Sequence, residues 1–161
     1  MPAKSSPAAF ATNRKAFRDY TVLETMEAGV ALVGTEIKSI RNRRVSLDDS
    51  FARIEGGEVF LYNMHVSPYE QGGRFNVEPT RLRKLLLHRE QIERLRGVMS
   101  QRGVTLVPLR LYAKHGLAKI ELAVCKGKRQ YEKRDAIQKR ESDRELQRTV
   151  KAFNRRADRR R

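Results

Sequence analysis

Residues 104–125 read VTLVPLRLYAKHGLAKIELAVC, and this stretch decides the fold. Apolar and polar side chains alternate on both sides of His115-Gly116, which is the pattern of strands with one buried face. The pattern predicts two long strands, Val104 to Lys114 and Leu117 to Cys125, that pair as an antiparallel hairpin. A strand-rich fold is therefore the starting expectation for the rest of the chain.

Further strands are expected before this hairpin. The segments Ser50–Ile54 and Glu58–Val66 flank Glu55-Gly56-Gly57 and carry β-prone side chains, which predicts a second hairpin. Two short strands are expected between Asp19 and Val33, separated at Ala28-Gly29. These six strands, with helices inserted rather than alternating with them, indicate a mainly β fold with flanking helices. Its expected architecture is a small antiparallel barrel similar to the oligonucleotide-binding (OB) barrel.

Two helices and one long loop are expected between the strands. Apolar residues at helical spacing predict a short helix between Thr35 and Val45. The run from Arg81 to His88 leads into a second predicted helix, which ends near Gly103. Between them, Ser67 to Pro79 contains two prolines and Gly72-Gly73, so we expect a surface loop. Binding residues often lie on such loops.

Charge indicates the class of partner. The 161-residue chain has 35 Lys and Arg against 19 Asp and Glu, a net charge of +16. A nucleic acid is the favoured polyanion, because phosphate neutralisation releases counterions at many contacts together. The chain has no Trp and no long apolar run, so a membrane partner or a secretory signal is not expected. Its single cysteine, Cys125, excludes an internal disulfide and a Cys-based zinc site, and we expect a cytoplasmic protein.

The two ends of the chain differ from its middle. Residues 1–12 have little to bury and are expected to be a disordered leader, followed by the barrel over residues 13–125. Residues 126–161 contain 15 basic and 6 acidic residues, a net charge of +9, so self-repulsion should keep this tail disordered when free. A narrow apolar stripe allows the tail to become helical when a polyanion binds it; the stripe consists of Leu146, Val150, Phe153 and Ala157.

The residues that could support catalysis do not form a site. The three histidines, His65, His88 and His115, lie in separate predicted elements, which disfavours a metal site. Asp48-Asp49 has no third carboxylate nearby, so a turn or capping role is favoured over a two-metal nuclease site. No glycine motif for a nucleotide is present. We therefore expect neither enzyme activity nor a cofactor.

Three groups of residues suit RNA. The run Lys126 to Arg134 places cations and Tyr131 directly after the last strand, where an unpaired base could stack; a solvated basic turn is the alternative. A second group comprises cations at a predicted helix entry, with the neighbouring leucines assigned to the core. A third group is Glu27-Ala28-Gly29 followed by Gly34, Glu36, Lys38 and Ser39, where a carboxylate could accept from base amino groups; ordinary turn chemistry is the alternative. The cations of the second group are Arg81, Arg83, Lys84 and His88.

Several blocks in succession resemble the small protein B family, the SsrA-binding proteins of bacteria. The resemblance covers residues 13–156. It is carried by Asn13-Arg14-Lys15-Ala16, Glu27-Ala28-Gly29, Gly34-Thr35-Glu36-Ile37-Lys38-Ser39, Arg83-Lys84-Leu85-Leu86-Leu87-His88, Leu111-Tyr112 and Lys126-Gly127-Lys128.

The resemblance implies a barrel that binds transfer-messenger RNA and a tail that probes the empty mRNA channel near the decoding centre, which rescues stalled ribosomes by trans-translation. Alanyl-tRNA synthetase and elongation factor Tu would be indirect partners through the RNA. The implied RNA contacts, together with Arg129 from the basic run, are Asn13, Glu27, Gly29, Lys38, Leu86, His88, Lys119, Lys126 and Lys128. The expected tail contacts to the ribosome are Tyr131, Lys133, Arg134, Arg140 and Arg148.

Two alternatives stay open. A ribosomal protein or a general binder of ribosomal RNA would have the same charge and barrel. An RNA-processing nuclease would use Asp48, Asp49 or a histidine.

Overall fold

The computed structural model describes residues 8–158, without the side chains of residues 130–133, 135–136 and 152–158. The chain divides after Gly127 into two compact units. The described residues of the first unit form one 3-10 turn, at Gly73–Phe75, and three helices among the strands. The elements are β1 Ala9–Thr12, α1 Arg14–Asp19, β2 Tyr20–Val30, α2 Gly34–Arg41, β3 Val45–Ser46, β4 Phe51–Glu55, β5 Glu58–Tyr62, β6 His65–Val66, β7 Arg83–Leu86, α3 Arg89–Met99, β8 Val104–Lys114, β9 Leu117–Gly127 and α4 Gln130–Asp158.

Six of the described strands close into a barrel. Neighbouring strands follow the order β8, β4, β5, β7, β2, β9, and β9 pairs again with β8. All these pairings are antiparallel. β1 pairs with residues 110–112 of β8, on the edge opposite to the one that pairs with β9. The predicted OB-like barrel is confirmed. No helix in the part of the chain that the structure describes has the length and apolar character needed to cross a bilayer.

Alternation along the strands fills the barrel interior. Leu61, Leu85, Leu106 and Leu122 are at most 1% exposed and belong to one cluster of buried side chains. Burying each leucine contributes roughly 1.5–3 kcal/mol. A smaller cluster lies under α1 and includes Cys125, whose burial raises the pKa of its thiol to about 11. The cysteine is therefore a packing residue.

The hairpin of β8 and β9 forms as predicted. His115 and Gly116 both have positive φ, 51° and 75°, as a two-residue turn between twisted strands requires. Lys114 pairs with Leu117, and β9 continues two residues beyond the predicted end. The second predicted hairpin is also confirmed, although its second strand ends at Tyr62.

The expected break at Ala28-Gly29 is wrong, because β2 runs through it as one strand. Ala28 pairs with Ile120, and Gly29 pairs with both Lys119 and Leu86. Glycine here serves close packing between strands: a Cβ on Gly29 would lie 3.2 Å from the Leu86 Cβ.

The predicted helix entry at residues 81–88 is also wrong. Residues 83–86 form β7, which fills the gap in the barrel between β5 and β2, and α3 starts only at Arg89. Arg83 and Leu85 share the inward face of β7 and are fully buried. Tertiary pairing therefore determines this segment rather than its local helical spacing.

The expectation of a disordered leader is wrong for Ala9–Thr12, which forms β1. Phe10 and Ala11 pack against the core, and β1 pairs with residues 110–112 of β8. Residues 1–7 lie outside the described residues.

The remaining connections agree with expectation. The helix predicted between Thr35 and Val45 is α2, and Ser67–Pro79 is a loop apart from its 3-10 turn. In the second unit, residues 130–158 form α4, which confirms that the tail can be helical. Disorder of the free tail stays a prediction.

Candidate nucleic-acid interface

A groove of about 980 Å³ lies on the barrel, where the ends of β2, β7 and β9 meet the start of α3. Its lining mixes four Lys and Arg side chains with three carboxylates and four apolar side chains, of which only Leu86 is exposed. The polar and exposed side chains that line it include Glu27, Glu58, Lys84, Leu86, His88, Arg89, Gln91, Arg96 and Lys119. Four of the implied RNA contacts, far apart in sequence, therefore converge here.

Glu27 is the acidic centre of this groove, and its carboxylate is held in place. Tyr112 Oη donates to Oε2 at 2.7 Å, and Lys114 Nζ donates to the same oxygen at 2.9 Å. Lys119 Nζ lies 3.9 Å from Oε1. The hydrogen bonds from Tyr112 and Lys114 keep the pKa of Glu27 below its ordinary value. Glu27 thus offers an ionised, oriented acceptor at neutral pH.

Tyr112 shares this arrangement and was absent from the predicted contacts. Burial raises the pKa of its phenol, and the hydrogen bond to Glu27 raises it further, so Tyr112 remains a proton donor. Alternation along β8 could have indicated it, because Tyr112 and Lys114 share the outward face.

Leu86 provides the apolar part of the groove. Its side chain is 53% exposed, while Leu85 is 1% exposed. The assignment of Leu86 to the core is therefore wrong. Because Gly29 has no side chain, Leu86 can lie directly across the strand pair from it. Gly29 shapes the groove by this close approach.

His88 lies at the edge of the groove where α3 begins. Its backbone N–H donates to Gln91 Oε1 at 3.0 Å, which satisfies an otherwise unpaired donor at the helix start. The His88 side chain is exposed. The run predicted to lead into this helix ends at His88, and α3 begins at the next residue, Arg89.

Lys126 lies at the opposite end of the same strand pair. Lys119 pairs with Gly29, but Lys126 pairs with Thr21. The two lysines are therefore about 25 Å apart along the strand at the usual rise per residue. Lys126 does not share the groove with Lys119.

Asn13 is not an exposed contact. It is 2% exposed and caps α1, where its Oδ1 accepts from the Ala16 N–H at 3.0 Å. Its Nδ2 donates to the carbonyls of Leu47 and Pro108, both at 3.1 Å. Because its amide atoms are fully used inside the fold, the implied RNA contact at Asn13 is corrected to a structural role.

Lys38 lies on a separate surface, on the exposed side of α2. Its Nζ is 5.2 Å from the centre of the Tyr69 ring. Neither residue lines the groove.

A buried ion cluster connects α2 to β7. Glu36 and Arg83 are 3% and 0% exposed, and Arg83 Nε donates to Glu36 Oε1 at 2.9 Å. Arg81 Nη2 donates to Glu36 Oε2 at 2.6 Å. Burial would raise the pKa of Glu36, but hydrogen bonds from Arg81 and the Val33 N–H, with the charge of Arg83, bring it below its ordinary value.

This cluster changes the role of two predicted phosphate-binding cations. Arg83 also donates to the carbonyls of Met64 and Pro79, at 2.5 and 3.0 Å, so its guanidinium is committed to the interior. Arg81 is 27% exposed and bound to the same carboxylate. Arg83 and Leu85 are two residues apart on β7, so their side chains lie on the same face of the strand. This spacing could have indicated that Arg83 is buried together with Leu85.

Asp48 and Asp49 form a turn, as predicted. The Asp48 N–H donates to Ser46 Oγ at 3.2 Å, and Asp49 has a φ of 60°. Asp49 also pairs with Lys15 at 3.2 Å. Within residues 8–158, no group of three or more His, Cys, Asp or Glu side chains could hold a metal ion.

In the second unit, the described side chains of Arg134, Arg140 and Arg148 are exposed on α4. Arg129 is exposed and Lys128 half-buried before the helix begins. Tyr131 and Lys133 lie on α4, but their side chains are outside the described residues.

A closed antiparallel barrel with an exposed groove, in which cations lie beside the exposed Leu86 and the oriented Glu27 carboxylate, is typical of oligonucleotide-binding barrel proteins. A family model described as "SmpB protein" matches residues 10–152, and the chain belongs to this family. The SsrA-binding protein of Caldicellulosiruptor bescii is 58% identical over 143 residues, which cover 89% of this chain and 90% of that protein.

Other comparisons agree. The SsrA-binding protein of Geobacillus kaustophilus is 57% identical over 151 residues, which cover 94% of this chain and 97% of that protein. A solved structure described as "tmRNA-SmpB: a journey to the center of the bacterial ribosome" is 48% identical and has a TM-score of 0.64. The match covers 78% of this chain and 92% of that chain.

Proposed function

We propose that this protein binds transfer-messenger RNA and delivers it to stalled ribosomes for trans-translation. The observation that carries the proposal is the groove, where residues implied as RNA contacts by the family resemblance meet although they are distant in sequence. The relatives named SsrA-binding protein, which match along most of the chain, support the same partner.

The groove can recognise RNA through three kinds of contact. The Glu27 carboxylate can accept from the amino group of a base, since its orientation is fixed by Tyr112 and Lys114. Lys119 and the nearby arginines can neutralise phosphates. Leu86 can pack on a sugar or a base face that the RNA leaves exposed. Shape and a few polar contacts together suit a structured RNA.

The second unit has a different role in this proposal. Lys126 at the end of β9 contacts the transfer-messenger RNA, as do Lys128 and Arg129, which begin the second unit. Tyr131, Lys133 and Arg134 contact the decoding centre, and Arg140 and Arg148 neutralise RNA along the empty mRNA channel. Support comes from the net charge of +9 in residues 126–161 and from the helical conformation of residues 130–158.

The remaining parts of the proposal follow from the RNA partner. The protein is not an enzyme and acts in the cytoplasm. Alanyl-tRNA synthetase and elongation factor Tu are partners through the RNA rather than through the protein.

Identification of the RNA that copurifies with the full-length chain tests the proposal. We expect sequencing of that RNA to show strong enrichment of transfer-messenger RNA. A Glu27→Gln variant should lose much of this enrichment, whereas Asp49→Asn, a matched carboxylate change outside the groove, should keep it. Enrichment of ribosomal RNA alone would contradict the proposal.

A ribosomal protein or general ribosomal-RNA binder is the second candidate, because the net charge of +16 suits it equally. A high-salt wash separates the two functions. A factor held by phosphate contacts should leave ribosomes as salt rises, whereas a structural component should stay in stoichiometric amount.

A further inference from the structure

The loop of residues 67–79 is held rigidly by its own side chains. Asn76 Oδ1 accepts from the Tyr69 N–H at 2.9 Å, and Asn76 Nδ2 donates to the Tyr69 carbonyl at 2.8 Å. Gly72 is required beneath this bridge, since a Cβ there would lie 2.6 Å from Asn76 Oδ1. The loop therefore presents a defined surface.

This rigid loop holds an aromatic ring in solvent. The Phe75 side chain is 69% exposed, although its backbone carbonyl is fixed by a 3.4 Å hydrogen bond from Thr35 Oγ1. Val33 and Ile37, four residues apart at the start of α2, are 39% and 38% exposed. The Phe75 side chain therefore does not stabilise the folded chain through burial in the core. An exposed aromatic ring on an ordered loop is typical of a binding surface.

Two cations lie beside the aromatic rings of this surface. The Arg74 guanidinium lies 5.2 Å from the centre of the Phe75 ring, and Lys38 lies at the same distance from the Tyr69 ring. Residues 34–44 contain one Lys and three Arg; Glu36 is bound to Arg81 and Arg83, and Arg44 is bound to Glu70 of the loop at 2.5 Å. An apolar surface with Lys38 and Arg74 beside its aromatic rings complements a polyanion better than it complements an ordinary protein surface.

The same residues enclose a hollow of about 410 Å³, large enough for one base. Its lining includes Val33, Lys38, Tyr69, Gly72 and Phe75. We propose that this hollow binds an unpaired base of the RNA, which stacks on Phe75 while Lys38 contacts an adjacent phosphate. This inference rests on the proposed function for the identity of the RNA, but not for the stacking itself.

Substitutions at Phe75 test the stacking. We expect Phe75→Ala to lower the affinity for transfer-messenger RNA about tenfold, the usual effect of losing one stacked base. Phe75→Trp should restore binding, and Phe75→Leu should not, because leucine is apolar but cannot stack. Leu117→Ala, at a side chain 61% exposed in the β8–β9 turn region, is the matched control and should bind as the unmodified chain does.

Salt dependence distinguishes the two contacts. The affinity lost in Phe75→Ala should be the same at every salt concentration, because stacking releases few counterions. Lys38→Ala should reduce the slope of log affinity against log salt by about 1. Unchanged melting temperatures for all variants, measured by circular dichroism, would exclude unfolding as the cause.

A short single-stranded RNA hexanucleotide, titrated in parallel, separates the two proposals. If transfer-messenger RNA does not bind but Phe75→Ala weakens hexanucleotide binding, the proposed function fails and the hollow stands. If both RNAs bind equally well to Phe75→Ala and to the unmodified chain, the hollow proposal is wrong and the proposed function stands. Loss of ribosome association in Phe75→Ala, with RNA affinity intact, would indicate a protein partner and overturn the inference.

Discussion

The barrel and the tail carry comparable net charge in different physical settings. Residues 1–125 account for +7 and residues 126–161 for +9. In the barrel, Glu27 is oriented by Tyr112 and Lys114, and Glu36 binds two arginines in the interior. The described side chains of α4 are exposed. Fixed charges can recognise the shape of one RNA, whereas exposed charges on a helix can follow any polyanion.

Removal of the tail should produce the largest effect and gives the strongest test of this contrast. Truncation after Arg129 should abolish peptide tagging on stalled ribosomes, because nothing then enters the mRNA channel. Binding of transfer-messenger RNA should be mostly intact, because the groove lies in the first unit. Tagging and RNA affinity can be measured on the same preparation. Loss of RNA affinity on truncation would show that the tail also holds the RNA.

Removal of the buried carboxylate should destabilise the barrel strongly. Glu36→Gln leaves the Arg83 charge buried without its partner, which should cost about 3–5 kcal/mol in the free energy of unfolding. Urea titration of the chain truncated after Arg129 would measure this loss. Asp49→Asn removes an exposed ion pair as a matched control and should cost about 0–1 kcal/mol. Equal effects of the two changes would contradict the role of the buried cluster.

Acid should destabilise the barrel by protonating Glu36. The pKa of Glu36 is lower in the folded chain than its ordinary value of 4.5, so its contribution is present above that value. It is lost as pH falls through the folded pKa, with a slope of at most about 1.4 kcal/mol per pH unit.

Urea titrations from pH 6 to pH 3 would measure this dependence. Glu36→Gln should flatten the curve below pH 4.5 relative to the unmodified chain. A curve of unchanged slope would assign the acid sensitivity to other carboxylates.

Loss of one hydroxyl should have the smallest effect on stability. Tyr112→Phe removes the hydrogen bond to Glu27 and should lower the free energy of unfolding by about 1 kcal/mol. The pKa of Glu27 should rise, which carboxyl NMR can follow, because the bond from Tyr112 is the main cause of its low value. RNA affinity should fall without a change in the salt slope. An unchanged Glu27 pKa would show that Lys114 alone fixes the carboxylate.

Local pattern was sufficient for the elements whose partners are close in sequence. The β8–β9 hairpin turns at His115-Gly116, and β4 pairs with β5 across two glycines, so each could be predicted from a short stretch. β1 and β7 depend on partners tens of residues away. β7 takes its strand conformation from a gap in the barrel and β1 from an edge of β8, and no local window contains either partner.

The candidate site shows the same limit. The family resemblance indicated Glu27, Leu86, His88 and Lys119, and the structure brings all four to one groove. The resemblance did not distinguish residues that are exposed for binding from buried residues with a structural role. Asn13 is of the second kind, because its side-chain amide is hydrogen-bonded inside the fold. Arg83 could not be recognised as a buried ion from charge, because its partner Glu36 lies 47 residues away.

Closure of the barrel limits the association of two copies of the chain through strand pairing. An open sheet presents free backbone donors and acceptors to which a second molecule can add a strand. Each of the six strands in the described ring has a neighbour on both sides, so strand exchange through the ring would first require a pairing to open. The six strands of the described ring are therefore protected from edge-to-edge aggregation.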